Sequence, residues 1–189
     1  MELKPEDSSA ASAASYPNFY PHITLASQLP ATMENPDTLR SLIPWQDKPL
    51  TCSFASIEVG DVYFRSVYIA IKPSIQLLDL HKGVHENLQI ETRTPSFPHL
   101  SLVYIADEDA NEGERMKYYD LLQKGGKFKE NYTGDDPGKN LKGVSLICRS
   151  ATGWMDSFDA TEVWAVKCDG SVESWEVKGK YPFVRLRSS

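Results

Sequence analysis

The chain has 189 residues, of which 41% are hydrophobic and 11% aromatic, and its formal net charge is -6. A chain of this length and apolar content can bury one core, in one compact domain or in two small lobes that share it, and we expect a single domain. The acidic balance argues against an extended nucleic acid as partner, because phosphate backbones are bound through many Lys and Arg contacts. A small anionic ligand in a local pocket remains compatible with this charge.

The N-terminal segment and the cysteines indicate where the protein resides. Residues 1–15 are rich in Ser and Ala and lack apolar periodicity, so we predict a flexible lead-in before a single domain over 16–189. This segment has no apolar run long enough for a signal peptide or a membrane helix, and we therefore expect a cytoplasmic protein without membrane association. Cys52, Cys148 and Cys168 are scattered, which is typical of reduced cytosolic thiols.

The first half of the chain alternates between strand and helix patterns. Polar and apolar residues alternate at the first strand, and β-branched and aromatic residues dominate the next two. In chain order we predict a strand at 22–26, a short helix at 37–42 and a hairpin of strands 50–59 and 62–71 turning at Gly60-Asp61. A helix over Ile75 to Leu88 should follow, broken or bent near Gly83.

The second half returns to strands after one longer helix. We predict a strand at 99–105, a helix at 108–123 stopped by Gly125-Gly126, a surface loop at 127–140, and strands at 144–148, 162–167 and 172–177, the last two joined at Asp169-Gly170. Strands outnumber helices and the two are interspersed, which indicates an α+β fold.

One short motif occurs twice. Residues 20–25 (YPHITL, the first motif) and 97–102 (FPHLSL, the second motif) both read aromatic-Pro-His-apolar-hydroxyl-Leu. In a strand, residues i and i+2 project to the same face, so each motif presents an imidazole beside a hydroxyl and buries its apolar neighbours. Two such strands side by side would bring two imidazoles and two hydroxyls to one place.

These groups match the needs of phosphodiester hydrolysis. The reaction requires a base that activates water, an acid that protonates the departing oxygen, and donors for the phosphate oxygens. We predict that His22 and His99 are the catalytic pair, since histidine can serve as either partner near neutral pH. Thr24 and Ser101 would hold the phosphate, and no metal or other cofactor is needed. The alternative, that each His is an ordinary half-buried residue, is weakened by the repeat.

Two further patterns are weaker. His81 and His85 lie at i and i+4 on the predicted helix, a spacing known from zinc sites, but Gly83 lies between them and Glu86 follows the second His. A solvated helix face is the preferred interpretation. The sequence Gly125-Gly126-Lys127 lacks the remainder of a phosphate-binding loop and is interpreted as a helix stop.

The paired motifs resemble the signature of the 2H phosphoesterase superfamily, and the chain is similar in particular to its cyclic phosphodiesterases of fungi and plants. The resemblance extends from Tyr16 to Phe183 and includes 62–67 (VYFRSV), 175–178 (WEVK) and 181–183 (YPF). It implies a bilobal 2H phosphoesterase fold, in which two antiparallel sheets flank a central cleft, helices lie outside, and each lobe contributes one motif.

The resemblance also implies substrates and residue roles. The family opens nucleoside 2',3'-cyclic phosphates to 2'-phosphates, and ADP-ribose 1'',2''-cyclic phosphate, a by-product of tRNA splicing. We assign His99 as the base and His22 as the acid, although the two roles can be exchanged. Tyr104 corresponds to a base-contacting tyrosine of plant relatives, its alternative being a Tyr packed in the strand with its hydroxyl at the surface. Arg65 can neutralise phosphate charge, or instead point to solvent or meet a carboxylate.

The partner implied is a small-molecule cyclic phosphate, bound by a monomer. Two other functions remain open. The first is an RNA-end enzyme acting on terminal 2',3'-cyclic phosphates, against which the acidic charge argues. The second is a binding module that senses a phosphorylated ligand without turnover, against which the completeness of both motifs argues.

Overall fold

The computed structural model describes residues 12–27, 36–91, 97–132, 141–147 and 153–184. The helices are α1 (Pro36–Leu42), α2 (Ile75–Leu88), α3 (Asp107–Asn111) and α4 (Glu114–Lys124), with a 3-10 turn at Val172–Ser174. The strands are β1 (Leu50–Val62), β2 (Arg65–Ile71), β3 (His99–Val103), β4 (Phe128–Tyr132), β5 (Leu141–Ile147), β6 (Trp154–Met155), β7 (Ser157–Ala160), β8 (Glu162–Lys167) and β9 (Glu176–Pro182). This mixture confirms the predicted α+β class.

Within the described ranges, the strands form three sheets. One has four strands in the order β3-β2-β1-β7, one has three in the order β4-β5-β6, and β8 pairs with β9. β2 pairs antiparallel with β1 on one side and with β3 on the other. The second motif therefore lies on a strand that is paired along its length with β2.

The chain separates into two compact units. The first comprises the described parts of Met1–Ile23, Ser53–Lys72 and Pro98–Ser157, and the second those of Thr24–Cys52, Pro73–Phe97 and Phe158–Ser189. His22 and His99 both fall in the first unit, whereas the resemblance implied one motif in each lobe. The bilobal arrangement and the single domain over 16–189 stay predictions.

The core of the first unit forms on β2 and α4. β2 buries Val67, Ile69 and Ile71, as its alternating pattern predicts. α4 lies against β2 and contributes the buried Tyr118 and Leu122.

The second unit is organised around α2. Ser74 caps this helix, since its Oγ accepts a hydrogen bond of 3.2 Å from the backbone N–H of Leu77. The buried side of α2 presents Leu77, Leu80, His81, Val84, His85 and Leu88, and α1 packs against the helix. The i, i+3, i+4 spacing of these residues explains why one face is apolar.

The hairpin prediction was right in its strands and wrong in its turn. Val62 pairs with Arg65, so the turn is at residues 63–64, and the register shifts between Val59 and Val62. Gly60 belongs to this bulge, and a Cβ there would lie 2.0 Å from the carbonyl oxygen of Arg65. The glycine thus permits a close approach of two strands, which is a second common use of glycine in hairpins.

The helix expected to be broken or bent near Gly83 is not broken there. α2 continues through Gly83, and a Cβ at this position would lie 2.8 Å from Cγ of Pro44. The absent side chain lets the helix approach the proline.

The helix predicted at 108–123 is divided in two. α3 ends at Asn111 and α4 begins at Glu114, with Gly113 at φ 81° between them. Glycine adopts this left-handed conformation at little cost, so the chain can leave the helical conformation here.

Three strand predictions need correction or fall in part outside the described residues. The predicted loop at 127–140 begins with β4, and its residues 133–140 lie outside the described ranges. The strand predicted at 172–177 is a 3-10 turn followed by β9, whereas the strand at 162–167 is confirmed. The strand predicted at 144–148 is confirmed as β5, except that Cys148 lies outside the described residues.

The end of the predicted lead-in is held against α3. The backbone N–H of Ser12 donates to a side-chain oxygen of Asp109 at 3.0 Å, and the hydroxyl of Ser15 donates to the same oxygen. Ser15 is buried, and its Oγ also accepts from the backbone N–H of Ala106 at 2.9 Å. Residues 1–11 of the lead-in lie outside the described part of the chain.

Candidate functional site

The second motif is carried by β3. His99 pairs with Ala70 and Ser101 with Tyr68 across the β2–β3 ladder. Because directly opposed residues of an antiparallel pair project to the same face, His99 and Ser101 share one face of the sheet with Tyr68 and Ala70. Leu100 projects to the other face and is buried.

The hydroxyl of Ser101 already donates a hydrogen bond within the protein. This residue is only 4% exposed, and its Oγ donates to the carbonyl oxygen of Phe64 at 2.7 Å. A serine hydroxyl has one hydrogen to donate, and phosphate oxygens can only accept. Ser101 can therefore bind phosphate only if its hydrogen turns away from Phe64.

The first motif reaches the second through an antiparallel segment rather than through the predicted strand at 22–26. Ile23 forms an isolated antiparallel bridge with Leu100, and the N–H of Tyr16 donates to the carbonyl of Tyr104 at 2.9 Å. These contacts run residues 16–23 alongside β3 and its extension. The opposite chain directions place His22 at the level of Ser101.

His22 is exposed and its ring orientation is defined. Its Nδ1 lies 2.6 Å from the carbonyl oxygen of Tyr20. Since a carbonyl only accepts, Nδ1 carries a hydrogen in this contact and Nε2 is left as the nitrogen available for proton transfer. The ring of Phe19 lies edge-on to the imidazole, with centroids 6.4 Å apart.

Tyr68 is a residue of the site that the sequence did not reveal. Its ring lies edge-on to that of His99, with centroids 5.4 Å apart and an interplanar angle of 71°. The guanidinium of Arg65 lies 5.8 Å from the centroid of the same ring. The strand register brings Tyr68 beside His99, and no sequence motif predicts this contact.

Arg65 meets a carboxylate, which was one of the alternatives for this residue. Its Nη2 donates to Oδ1 of Asp61 at 2.9 Å, and the side chain is mostly buried while that of Asp61 is exposed. The hydrogen bond from Arg65 lowers the pKa of Asp61 below its ordinary value. A role of Arg65 toward phosphate stays a proposal.

Tyr104 is packed inside an aromatic group and is only 3% exposed. The ring of Phe19 stacks on that of Tyr104, with centroids 4.1 Å apart and an interplanar angle of 13°. The ring of Phe64 lies edge-on to Tyr104, with centroids 5.5 Å apart. A nucleobase could stack on Tyr104 only if Phe19 left that face. Phe64, in contrast, is 54% exposed.

Thr24 is half-buried and is the first residue of the second unit. It follows Ile23 directly, so the isolated bridge of Ile23 is what fixes the chain immediately before it. Its phosphate-binding role stays a prediction.

His81 and His85 were expected on a solvated helix face, and that expectation was wrong. They are 8% and 4% exposed, because they lie on the apolar side of α2. Burial and the neighbouring His85 lower the pKa of His81. Among the residues that the structure describes, no group of three or more His, Cys, Asp or Glu side chains could hold a metal ion.

A small cavity of about 180 Å³ lies elsewhere in the first unit. Its wall includes Lys72, Lys142, Asn131 and Asp156, and none of the six predicted site residues lines it. The candidate site is therefore recognised from the motif geometry and not from this cavity.

In the described ranges, every helix is too short or too polar to cross a bilayer.

Comparison with known proteins identifies the family of the chain. The family model described as "Cyclic phosphodiesterase-like protein" matches residues 3–183. A cyclic phosphodiesterase of Arabidopsis thaliana is 24% identical over 104 residues, which cover 54% of this chain and 58% of the plant protein. The chain thus spans less than two thirds of the length of this curated relative. Because the family model matches nearly the whole sequence, the chain belongs to the cyclic phosphodiesterase-like family of the 2H phosphoesterases.

Proposed function

We propose that this protein hydrolyses cyclic phosphates on ribose, opening nucleoside 2',3'-cyclic phosphates to 2'-phosphates and also accepting ADP-ribose 1'',2''-cyclic phosphate. The relative from Arabidopsis carries the name cyclic phosphodiesterase, and the family model has the corresponding description. The observation that carries the proposal is the antiparallel bridge between Ile23 and Leu100, the central apolar residues of the two motifs. It brings together the chain segments that hold His22 and His99.

The histidines divide the proton transfers between them. His99 takes a proton from water, the water oxygen forms a bond to phosphorus, and the bond from phosphorus to the ribose 3' oxygen breaks. His22 donates a proton to that oxygen from Nε2, since its Nδ1 is held by the Tyr20 carbonyl. The edge-on ring of Tyr68 restricts the rotation of His99. The two histidine roles can be exchanged without changing the products.

The hydroxyls of Thr24 and Ser101 hold the non-bridging phosphate oxygens. For Ser101 this requires an exchange of acceptors, from the carbonyl of Phe64 to the phosphate. A charged acceptor makes the stronger hydrogen bond, which favours the exchange. Ser101→Ala should then lower kcat/KM, and unchanged kinetics would leave Ser101 with only its bond to Phe64.

A nucleobase finds its stacking surface on Phe64 rather than on Tyr104. Phe64 is the exposed member of the aromatic group, and its own backbone carbonyl accepts from Ser101. Base stacking on an aromatic side chain contributes about 1–3 kcal/mol. The ring is therefore well placed for a substrate whose phosphate lies near Ser101.

The reaction can be tested by phosphorus NMR of the protein with 2',3'-cyclic AMP in the presence of EDTA. The wild type should form the 2'-phosphate alone, and His22→Ala and His99→Ala should each lower turnover by about 100-fold or more. Lys82→Ala, which changes an exposed residue of α2, is the control and should retain full activity. Formation of the 3'-phosphate, or turnover near the wild-type rate in both histidine variants, would refute the mechanism.

The same assay separates the two other functions. An RNA-end enzyme would turn over an oligonucleotide with a terminal cyclic phosphate faster than the mononucleotide. A binding module would bind the cyclic nucleotide, as measured by calorimetry, and form no product.

A further inference from the structure

α2 buries two histidines that the proposed reaction does not use. The rings of His81 and His85 lie 4.4 Å apart at an angle of 39°, on the side of the helix that faces the core of the second unit. Their spacing of four residues places them one turn apart on the same face. Buried histidines of this kind need partners that justify their burial.

His85 binds the end of the first motif. Its Nε2 lies 2.8 Å from the carbonyl oxygen of Leu25, the last residue of that motif and the third after His22. The carbonyl only accepts, so Nε2 carries the hydrogen. Nδ1 of the same ring is buried and has no hydrogen-bond partner among the described residues. Among the described residues, the polar contact of the His85 ring is therefore with Leu25 of the first motif.

His81 contacts the beginning of the second motif. Its ring stacks on that of Phe97, with centroids 3.9 Å apart and an interplanar angle of 24°. Phe97 is the first residue of the second motif and lies two residues before His99. Pro98 follows it and limits the backbone freedom between Phe97 and His99.

We propose that His81 and His85 are positioning residues, which hold the two motifs through one helix, His85 at Leu25 and His81 at Phe97. The proposal rests on the proposed function, because its consequence is the placement of His22 and His99. A helix is a rigid spacer, so fixing both chain ends on adjacent turns of α2 restricts where the two catalytic imidazoles can move.

The pair acts in an apolar setting. Leu25 and Phe97 carry no charge, and on α1 the half-buried Arg40 donates to the carbonyl of Ile43 at 2.9 Å and lies over the ring of Trp45 at 3.5 Å. The charged side chains of α1, α2 and the residues just after α2 are otherwise exposed: Asp37, Asp79, Lys82, Glu86 and Glu91. Burial and the neighbouring imidazole lower the pKa of His81, which favours its neutral form.

The test uses two single variants with different expected targets. In His85→Leu the side-chain volume is nearly kept and the bond to Leu25 is lost, whereas in His81→Leu the stacked ring on Phe97 is lost. We would record the carbon-bound ring signals of His22 and His99 by NMR. His85→Leu should shift chiefly the His22 signal and His81→Leu chiefly the His99 signal, and each variant should lose about 10- to 100-fold in kcat/KM.

Asn87→Ala is the matched control. Asn87 is on the same helix, and its Nδ2 donates to the carbonyl of Leu42 at 2.8 Å, the same length as the bond of His85, but toward α1 and not toward a motif. It should leave both histidine signals and the kinetics unchanged. His85→Gln retains a donor and should restore part of the activity lost in His85→Leu.

The outcomes separate this proposal from the proposed function. If both ring signals stay in place in His85→Leu and His81→Leu, or if Asn87→Ala moves them equally at an equal loss of Tm, the positioning role is wrong. If the wild type itself does not turn over cyclic nucleotides, the reaction is wrong, and the NMR shifts still decide whether α2 places the two motifs.

Discussion

The two motifs share one sequence pattern and differ in their structural setting. The second lies on β3, where Leu100 pairs with Ile69 of β2 and is bridged by Ile23 on its other side. The first motif lies outside strands β1–β9 and is joined to β3 by the isolated bridge between Ile23 and Leu100. Leu100, Ser101 and Leu102 are buried, whereas His22 is exposed and Leu25 is half-buried.

The alternation of polar and apolar residues therefore predicts which residues share a face of a strand. It does not predict how many contacts stabilise the segment. β3 is the edge strand of its sheet, but it is paired residue by residue with β2, whereas within the described ranges the first motif has no such ladder and depends on other contacts. For the first motif these contacts include the carbonyl of Leu25, which His85 binds, and the carbonyl of Tyr20, which holds His22. The acid and the base of the proposed reaction thus differ in how they are supported.

The largest expected effect is on turnover. His22→Ala and His99→Ala should each lower kcat by about 100-fold or more, and the double variant should be hardly worse than either one, since the two groups serve one transition state. Steady-state kinetics of the three variants on 2',3'-cyclic AMP measures this. Losses that multiply would mean that the exposed and the half-buried histidine act independently.

The next effect is on stability. Leu102→Ala should lower the free energy of unfolding by about 2–5 kcal/mol, because Leu102 is buried on a strand that is paired with β2 and its removal leaves a cavity. Leu25→Ala should cost only about 1 kcal/mol, since this residue is half-buried. Urea denaturation of both variants gives the comparison, and equal losses would contradict the difference in support between the motifs.

A smaller effect concerns the aromatic residues near the second motif. Phe64→Ala should raise KM for a cyclic nucleotide by about 5- to 100-fold with little change in kcat, because the exposed ring offers a stacking surface. Tyr104→Phe, a change within the buried group, should leave KM unchanged. If the tyrosine variant raised KM and the Phe64 variant did not, the original assignment of Tyr104 would be restored.

The smallest effect is on the pH dependence of stability. The pKa of His81 is lowered in the folded protein, whereas in the unfolded chain it is near 6.5, so below about pH 6.5 the unfolded state binds more protons. The free energy of unfolding should therefore fall as the pH falls from about 7 to about 5, and His81→Leu should reduce this slope. Urea titrations of both proteins at the two pH values check it, and an identical slope would argue against a neutral buried His81.

The sequence alone singles out His22 and His99 because the motif is local and occurs twice, and their catalytic role stays a prediction. The strands 50–59, 62–71 and 162–167 were also predictable, since β-branched and aromatic residues mark them without reference to the remainder of the chain. The turn at 63–64 was missed because a Gly-Asp pair fits a turn and a bulge equally well, and only the pairing of Val62 with Arg65 distinguishes them. The role of a glycine in the helices is equally ambiguous in the sequence. Gly83 lies inside α2 close to Pro44, whereas Gly113 separates α3 from α4.

What remained hidden depends on partners that are distant in sequence. The burial of Ser101 against Phe64, the contact of Tyr68 with His99 and the burial of His81 and His85 all require the tertiary register. An alternating pattern predicts on which face of the sheet a residue lies. The residue that it contacts on that face belongs to another strand and depends on the register. A buried histidine pair in particular has the same sequence spacing as a solvated one.

The most direct test of the paired-histidine account is the dependence of kcat/KM on pH for the wild type and for His22→Ala. One imidazole must be neutral and the other protonated, so the wild-type profile should be bell-shaped, and the residual activity of the variant should lose the limb on which His22 must carry its proton. A wild-type profile that is flat across about pH 5 to 8 would contradict acid-base catalysis by two histidines.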